Sequence, residues 1–166
     1  MHWIPLLVIV ILLVGAFLLV IGKFKNSKEM PLILLTLVYF AGISIILFTP
    51  ISFDGTSIYV MSPGIGRVNK LRLYLHGAGF IENIILTIPL GLLLKKFVPQ
   101  LPILVIGILG IVISSGIEVT QHFLSLYFLI NRSTDVNDII ANALGIVIGS
   151  ILLVAYTRLQ LNHNNQ

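Results

Sequence analysis

The sequence predicts an all-α fold, a polytopic transmembrane bundle of about five helices. Three observations carry this. Charged residues make up only 10% of the chain and hydrophobic residues 57%, whereas a soluble domain carries about 25% charge. The mean hydropathy of +1.07 over 166 residues leaves almost no polar surface with which to cover a water-soluble core. The apolar residues also fall into runs that approach the length needed to cross about 30 Å of hydrocarbon, and Lys and Arg lie between the runs. Five spans of about 20 residues leave no room for a separate soluble domain, so residues 1–166 read as one membrane domain.

The expected spans are 4–21, 31–49, 76–95, 101–123 and 136–156. The first two open with Pro5 and Pro31, which a first helical turn tolerates because its N–H groups have no intrahelical partner. The first span lacks a basic leader and a clear small-residue cleavage site, so it reads as a retained helix rather than a signal peptide. Pro50, Pro63, Gly64 and Gly66 mark residues 50–70 as the largest connector, with a turn at Phe53-Asp54-Gly55. The third span is the least regular. Its uninterrupted apolar run, Ile84 to Leu94, is too short alone, so the helix must begin within the segment around His76, Glu82 and Asn83. Pro89 should kink it and free one carbonyl. The fourth span carries Gly107, Gly110, Ser114, Ser115 and Gly116, small residues that permit close helix approach. In the fifth, Asp135 is a candidate N-cap, with Asp138 at the third helical position.

Composition excludes several chemistries. With no cysteine there are no disulfides, thiol nucleophiles, iron–sulfur clusters or cysteine-bound zinc. The net charge of +4 is not a nucleic-acid signature, because its basic residues flank apolar runs. An outside N-terminus and inside C-terminus would place Lys23, Lys25, Lys28, Lys95, Lys96 and Arg158 in the cytoplasm, against Arg67, Lys70, Arg72 and Arg132 outside. Basic residues favour the inner face, so this orientation is expected.

The polar residues inside the apolar pattern are the candidates for function, because stranding them in lipid is expensive. Glu118 and Gln121 share a helical face with His122. Asp135, Asp138, Asn142, Gly145 and Gly149 trace one face of the fifth span, polar at its start and glycine-rich deeper. Gly145 and Gly149 form a GxxxG packing seam. Asn83, Glu118, Gln121, Arg132, Asp135, Asp138 and Asn142 would converge on one side of the membrane as a ligand-binding set. Glu118, Asp138 and Arg132 are the candidate catalytic groups. Arg132 suits two carboxylates or a phosphate. The same residues could instead form a purely structural ion network or lie in the headgroup layer. No cofactor is required, although Glu82, Glu118, Asp135 and Asp138 could offer oxygen ligands to Mg²⁺ or Ca²⁺. His76 and His122 are weak candidates for a general base. Ser114 and Ser115 should be satisfied by carbonyls one turn back, and no nucleophile elbow surrounds them.

These motifs resemble those of the VanZ-like family of small bacterial membrane proteins, named after an accessory factor in glycopeptide (teicoplanin) resistance. Asn83 precedes an apolar run ending in Pro89-Leu90-Gly91. Glu118 and Gln121 match Glu-x-x-Gln, and Arg132, Asp135, Asp138, Asn142, Gly145 and Gly149 match the pattern that follows. The resemblance covers about residues 30–156. The apolar segment from His122 to Asn131 is longer than the connector in many relatives. The resemblance implies a multi-pass protein of the bacterial cell membrane, tied to the cell envelope and to glycopeptide susceptibility, and certifies no catalytic residue. Together with the polar cluster it leads to a headgroup site for a membrane lipid or lipid-linked cell-wall precursor. A membrane enzyme acting on a lipid phosphate or acyl lipid is a second expectation. The third is a small transporter or an assembly partner, acting as a homo-oligomer or with another membrane protein.

Overall fold

The computed structural model describes residues 1–53 and 56–164. Among these are five helices long and apolar enough to cross a membrane: α1 (Ile4–Phe24), α2 (Met30–Phe48), α3 (Ala78–Phe97), α4 (Ile103–Phe128) and α5 (Val136–Asn164). The expected all-helical fold is found, and the helix ends differ from the expected spans. Helix α4 runs five residues past 123 because the segment after His122 is apolar and contains no helix breaker. It stops where Leu129 and Asn131 take φ angles of 59° and 60°, a left-handed conformation that ends a helix. Helix α3 passes through Pro89 without a break.

The 50–70 connector holds more order than expected. Strands β1 (Ile51–Phe53) and β2 (Ile58–Val60) pair antiparallel, with Ile51 opposite Val60 and Phe53 opposite Ile58. Asp54 and Gly55 of the expected turn lie outside the described residues. Two-residue strands β3 (Val68–Asn69) and β4 (Thr134–Asp135) complete the element order.

The chain divides into two compact units, with one boundary inside α4 between Glu118 and Val119. The first unit contains residues 1–68 and 119–134. In it α1 packs on α2, and most of the large side chains of α1 remain exposed, as a lipid-facing helix requires. The second unit contains residues 69–118 and 135–166. Its centre is the pairing of α3 with α5.

Glycine sets that pairing. A methyl group at Gly145 would overlap the Ile84 carbonyl and the Thr87 hydroxyl, and one at Gly149 would overlap the Ile88 carbonyl. One at Gly91 would overlap the Ile146 carbonyl. The expected seam is therefore a backbone-to-backbone contact, and α3 is the helix it faces. Hydroxyl groups lace it: Thr87 Oγ1 donates within reach of the Asn142 carbonyl (3.0 Å), and Ser150 Oγ lies 3.0 Å from the Gly91 carbonyl. Numbers rise together along the contact, from Thr87 beside Asn142 to Gly91 beside Ser150, so α3 and α5 run parallel. Helix α4 meets α5 in the opposite sense, with Gly110 against Ala143 and Gly107 against Val147.

These contacts separate two kinds of glycine. Gly149→Ala should lower the thermal midpoint in detergent by the equivalent of about 1–3 kcal/mol, the cost of overpacking a tight contact. Gly116→Ala meets nothing within 4 Å and should be neutral or stabilising. Equal effects of the two substitutions would contradict the assigned seam.

Candidate functional site

In the second unit three helices each contribute two polar residues spaced one turn apart: Asn83 and Thr87 on α3, Ser114 and Glu118 on α4, and Asp138 and Asn142 on α5. The Asn83 amide lies near the Asp138 carboxyl, and the Glu118 carboxyl lies within electrostatic range of both Asp138 and Asp135. Asn83 and Asp138 are half-buried, whereas Glu118, Thr87, Ser114 and Asn142 are buried. The arrangement is a polar ladder, half-buried at Asn83 and Asp138 and closed one turn deeper at Thr87 and Asn142.

The deep rung is incompletely satisfied. Both amide atoms of Asn142 are buried without a hydrogen-bond partner, although the residue is only 1% exposed. Ser114 Oγ is also buried and without a partner, which corrects the expectation that a carbonyl one turn back would satisfy it. Native proteins pair more than 90% of their buried polar groups, so these unpaired side chains on α4 and α5 are exceptional.

Asp135 anchors the start of α5. It immediately precedes α5, and its Oδ1 accepts the Asn137 N–H at 2.8 Å, the N-cap geometry expected from the sequence. The same oxygen accepts Asn69 Nδ2 (2.9 Å) and Asn137 Nδ2 (2.6 Å), and Tyr74 donates its hydroxyl to the other oxygen. The Asp135 N–H in turn donates to Glu118 Oε2 at 2.8 Å. Asn137 Oδ1 accepts the Tyr74 N–H, and Asn137 Nδ2 donates to the Arg72 carbonyl. Residues 69–74 are thereby tied across the start of α5. Burial pushes the Asp135 carboxyl up, but hydrogen bonds from Tyr74, Asn137 and Asn69 outweigh it and hold the group below its ordinary value. Tyr74 is raised, chiefly by its hydrogen bond to this carboxylate and then by burial.

Gln121 and Arg132 belong to the first unit and have a different task there. Gln121 Nε2 donates to the Leu47 carbonyl at 2.9 Å. Arg132 Nε donates to the Thr49 carbonyl (3.1 Å), Nη2 to the Ile51 carbonyl, and Nη1 reaches Ser52 Oγ (3.5 Å). The carbonyl end of α2 has unpaired acceptors and a partial negative charge, and an amide and a guanidinium meet both needs. Burial lowers the Arg132 group to about 10, with Tyr59 acting the other way, so it remains cationic at neutral pH. Its main chain is fixed by Ser125, whose Oγ lies 2.9 Å from both the N–H and the carbonyl oxygen of Arg132. Gly66, at φ 76°, lies against the Arg132 carbonyl and leaves no space for a side chain.

His122 packs its ring against Phe123 in the first unit, and exposed His76 stands beside Tyr74 in the second. Among the described residues, no three His, Asp or Glu side chains are grouped to hold a metal ion. The sequence reading missed Asn69, Tyr74, Thr87 and Asn137. Asn137 was legible as a second amide between two aspartates. Asn69 and Tyr74 gave no local signal, because they act on a residue more than 60 positions away.

Because Asp135 binds a proton less readily folded than unfolded, its contribution to stability is complete above the unfolded value and is lost as pH falls through the folded one. Thermal midpoints measured below about pH 4 should fall more for the parent than for Asp135→Asn. At neutral pH that variant should be less stable by about 1–3 kcal/mol. A parent–variant difference independent of pH would exclude the charge as the source.

A profile of the VanZ/LLP1 family matches residues 3–157, nearly the whole chain. No curated protein and no solved structure matches it. The family match covers the first four apolar helices, most of α5 and every residue of the polar ladder. The chain is a multi-pass membrane protein and belongs to the VanZ/LLP1 family.

Proposed function

We propose that the protein binds the head of a membrane lipid or lipid-linked cell-wall precursor at the polar ladder of α3, α4 and α5. The observation that carries this reading is the Asn142 side chain, buried with donor and acceptor both unpaired beneath the carboxyls of Glu118 and Asp138. Leaving such an amide unpaired costs about 1–3 kcal/mol. A hydrogen-bonding ligand recovers that cost on binding.

The groups present define the chemistry of the head. Carboxyls accept and the amides of Asn83 and Asn142 both donate and accept, so the ligand presents donors with acceptors beside them: an ammonium group next to its phosphate oxygens, or sugar hydroxyls. Arg132 keeps the capping role at α2 rather than the phosphate role its sequence position first suggests, because its carbonyl partners already engage Nε and Nη2. The basic residues favour an outside N-terminus, and the ladder then faces the outer leaflet. Binding there would alter access to envelope material, the route by which glycopeptide susceptibility would change.

Asn142→Leu tests the reading. It removes the unpaired amide at similar volume, so it should leave the thermal midpoint unchanged or raise it. It should weaken capture of aminoethanol-headed or glycan-headed lipid at least tenfold, or about 1.4 kcal/mol. The readout is lipid retention by purified protein in nanodiscs of defined composition. Unchanged retention of both lipids by a folded Asn142→Leu variant would refute the site.

A further inference from the structure

The far ends of α3 and α5 form a second polar feature that the ladder does not use. A cavity of about 460 Å³ lies between them, within the ~300–1,000 Å³ range of small-ligand sites. Lys95, Lys96, Arg158, Tyr156 and Thr157 supply its polar wall, and Leu153 is among its apolar residues. Among the described residues, no acidic one lines it. From Asp138 to Arg158 helix α5 rises about 30 Å, the thickness of the hydrocarbon layer. The cavity therefore lies at the membrane surface opposite the ladder.

We infer that this cavity binds the phosphate of an anionic phospholipid in that opposite leaflet. The charges are divided by task. Lys95 Nζ donates to the carbonyls of Pro99 and Leu101, both at 2.7 Å, and offsets the negative carbonyl end of α3. Lys96 and Arg158 are exposed on separate helices and supply the positive charge for a phosphate. The Tyr156 hydroxyl accepts from Gln160 Nε2 at 2.7 Å, which leaves its own proton to donate. A bound phosphate would thus receive two charged contacts and one neutral one. The apolar wall and the position at the span ends select a phosphate that carries acyl chains. A basic pocket between membrane helices has the form of an anionic-headgroup site.

The test uses delipidated full-length protein and native mass spectrometry. Phosphatidylglycerol and phosphatidylcholine of the same chain length are offered at equal concentration. The parent should retain phosphatidylglycerol at least tenfold more than phosphatidylcholine. Lys96→Gln combined with Arg158→Gln should reduce that ratio to near one, with Lys95 left intact to hold α3. Lys96→Arg with Arg158→Lys should restore it. Equal retention of the two lipids by the parent, or selectivity that survives the double Gln substitution, would overturn the inference. Displacement by soluble glycerol 3-phosphate at equal concentration would reassign the cavity to a free phosphate ester and overturn the lipid as its ligand. Excess glycerol phosphate without effect supports the lipid.

Discussion

Contact between the backbones of α3 and α5 is the constraint on which the second unit depends. Gly91, Gly145 and Gly149 lack the Cβ that would strike the facing backbone carbonyls. Lipid gives two apolar helices no hydrophobic reason to associate, so close packing and hydrogen bonds must supply it. The hydroxyls of Thr87 and Ser150 add those bonds across the same seam. The parallel register then brings Asn83 level with Asp138 and Thr87 level with Asn142. Without the seam the ladder has no rungs.

The family motif contains residues with two physical duties. Glu118, Asp138 and Asn142 belong to the polar ladder, and Asp135 caps α5 beside it. Gln121 and Arg132, only three residues from Glu118 and Asp135 in the chain, satisfy carbonyls at the end of α2. Proximity in sequence therefore misleads here. A guanidinium close to two aspartates looks like their counter-ion, yet it serves a helix terminus whose unpaired acceptors are not visible as letters in a sequence. The same reasoning explains Asp135. Its carboxylate is held by neutral donors, the hydroxyl of Tyr74 and the amides of Asn69 and Asn137.

Much of the architecture was legible because membrane insertion writes long apolar runs, and α1, α2 and α5 begin within a residue of where those runs do. The GxxxG seam and the Asp135 cap were legible because each depends on local spacing. The extension of α4 was misread, since an apolar segment after His122 fits an interfacial connector as well as a helix. The hairpin at Ile51–Val60 was hidden beneath turn-forming residues. Asn69 and Tyr74 were out of reach, because their importance comes from a tertiary contact. Ser114 was assigned a routine partner that the packing does not supply.

The absence of cysteine makes the central contact directly measurable. Asn83→Cys combined with Asp138→Cys in native membranes should cross-link rapidly with a reagent spanning about 5 Å, a reach of the order separating side chains on packed helices. Asn83→Cys combined with Arg158→Cys should not. If the first pair fails to react while a pair displaced along α5 does, the register of α3 on α5 is wrong and the polar ladder with it.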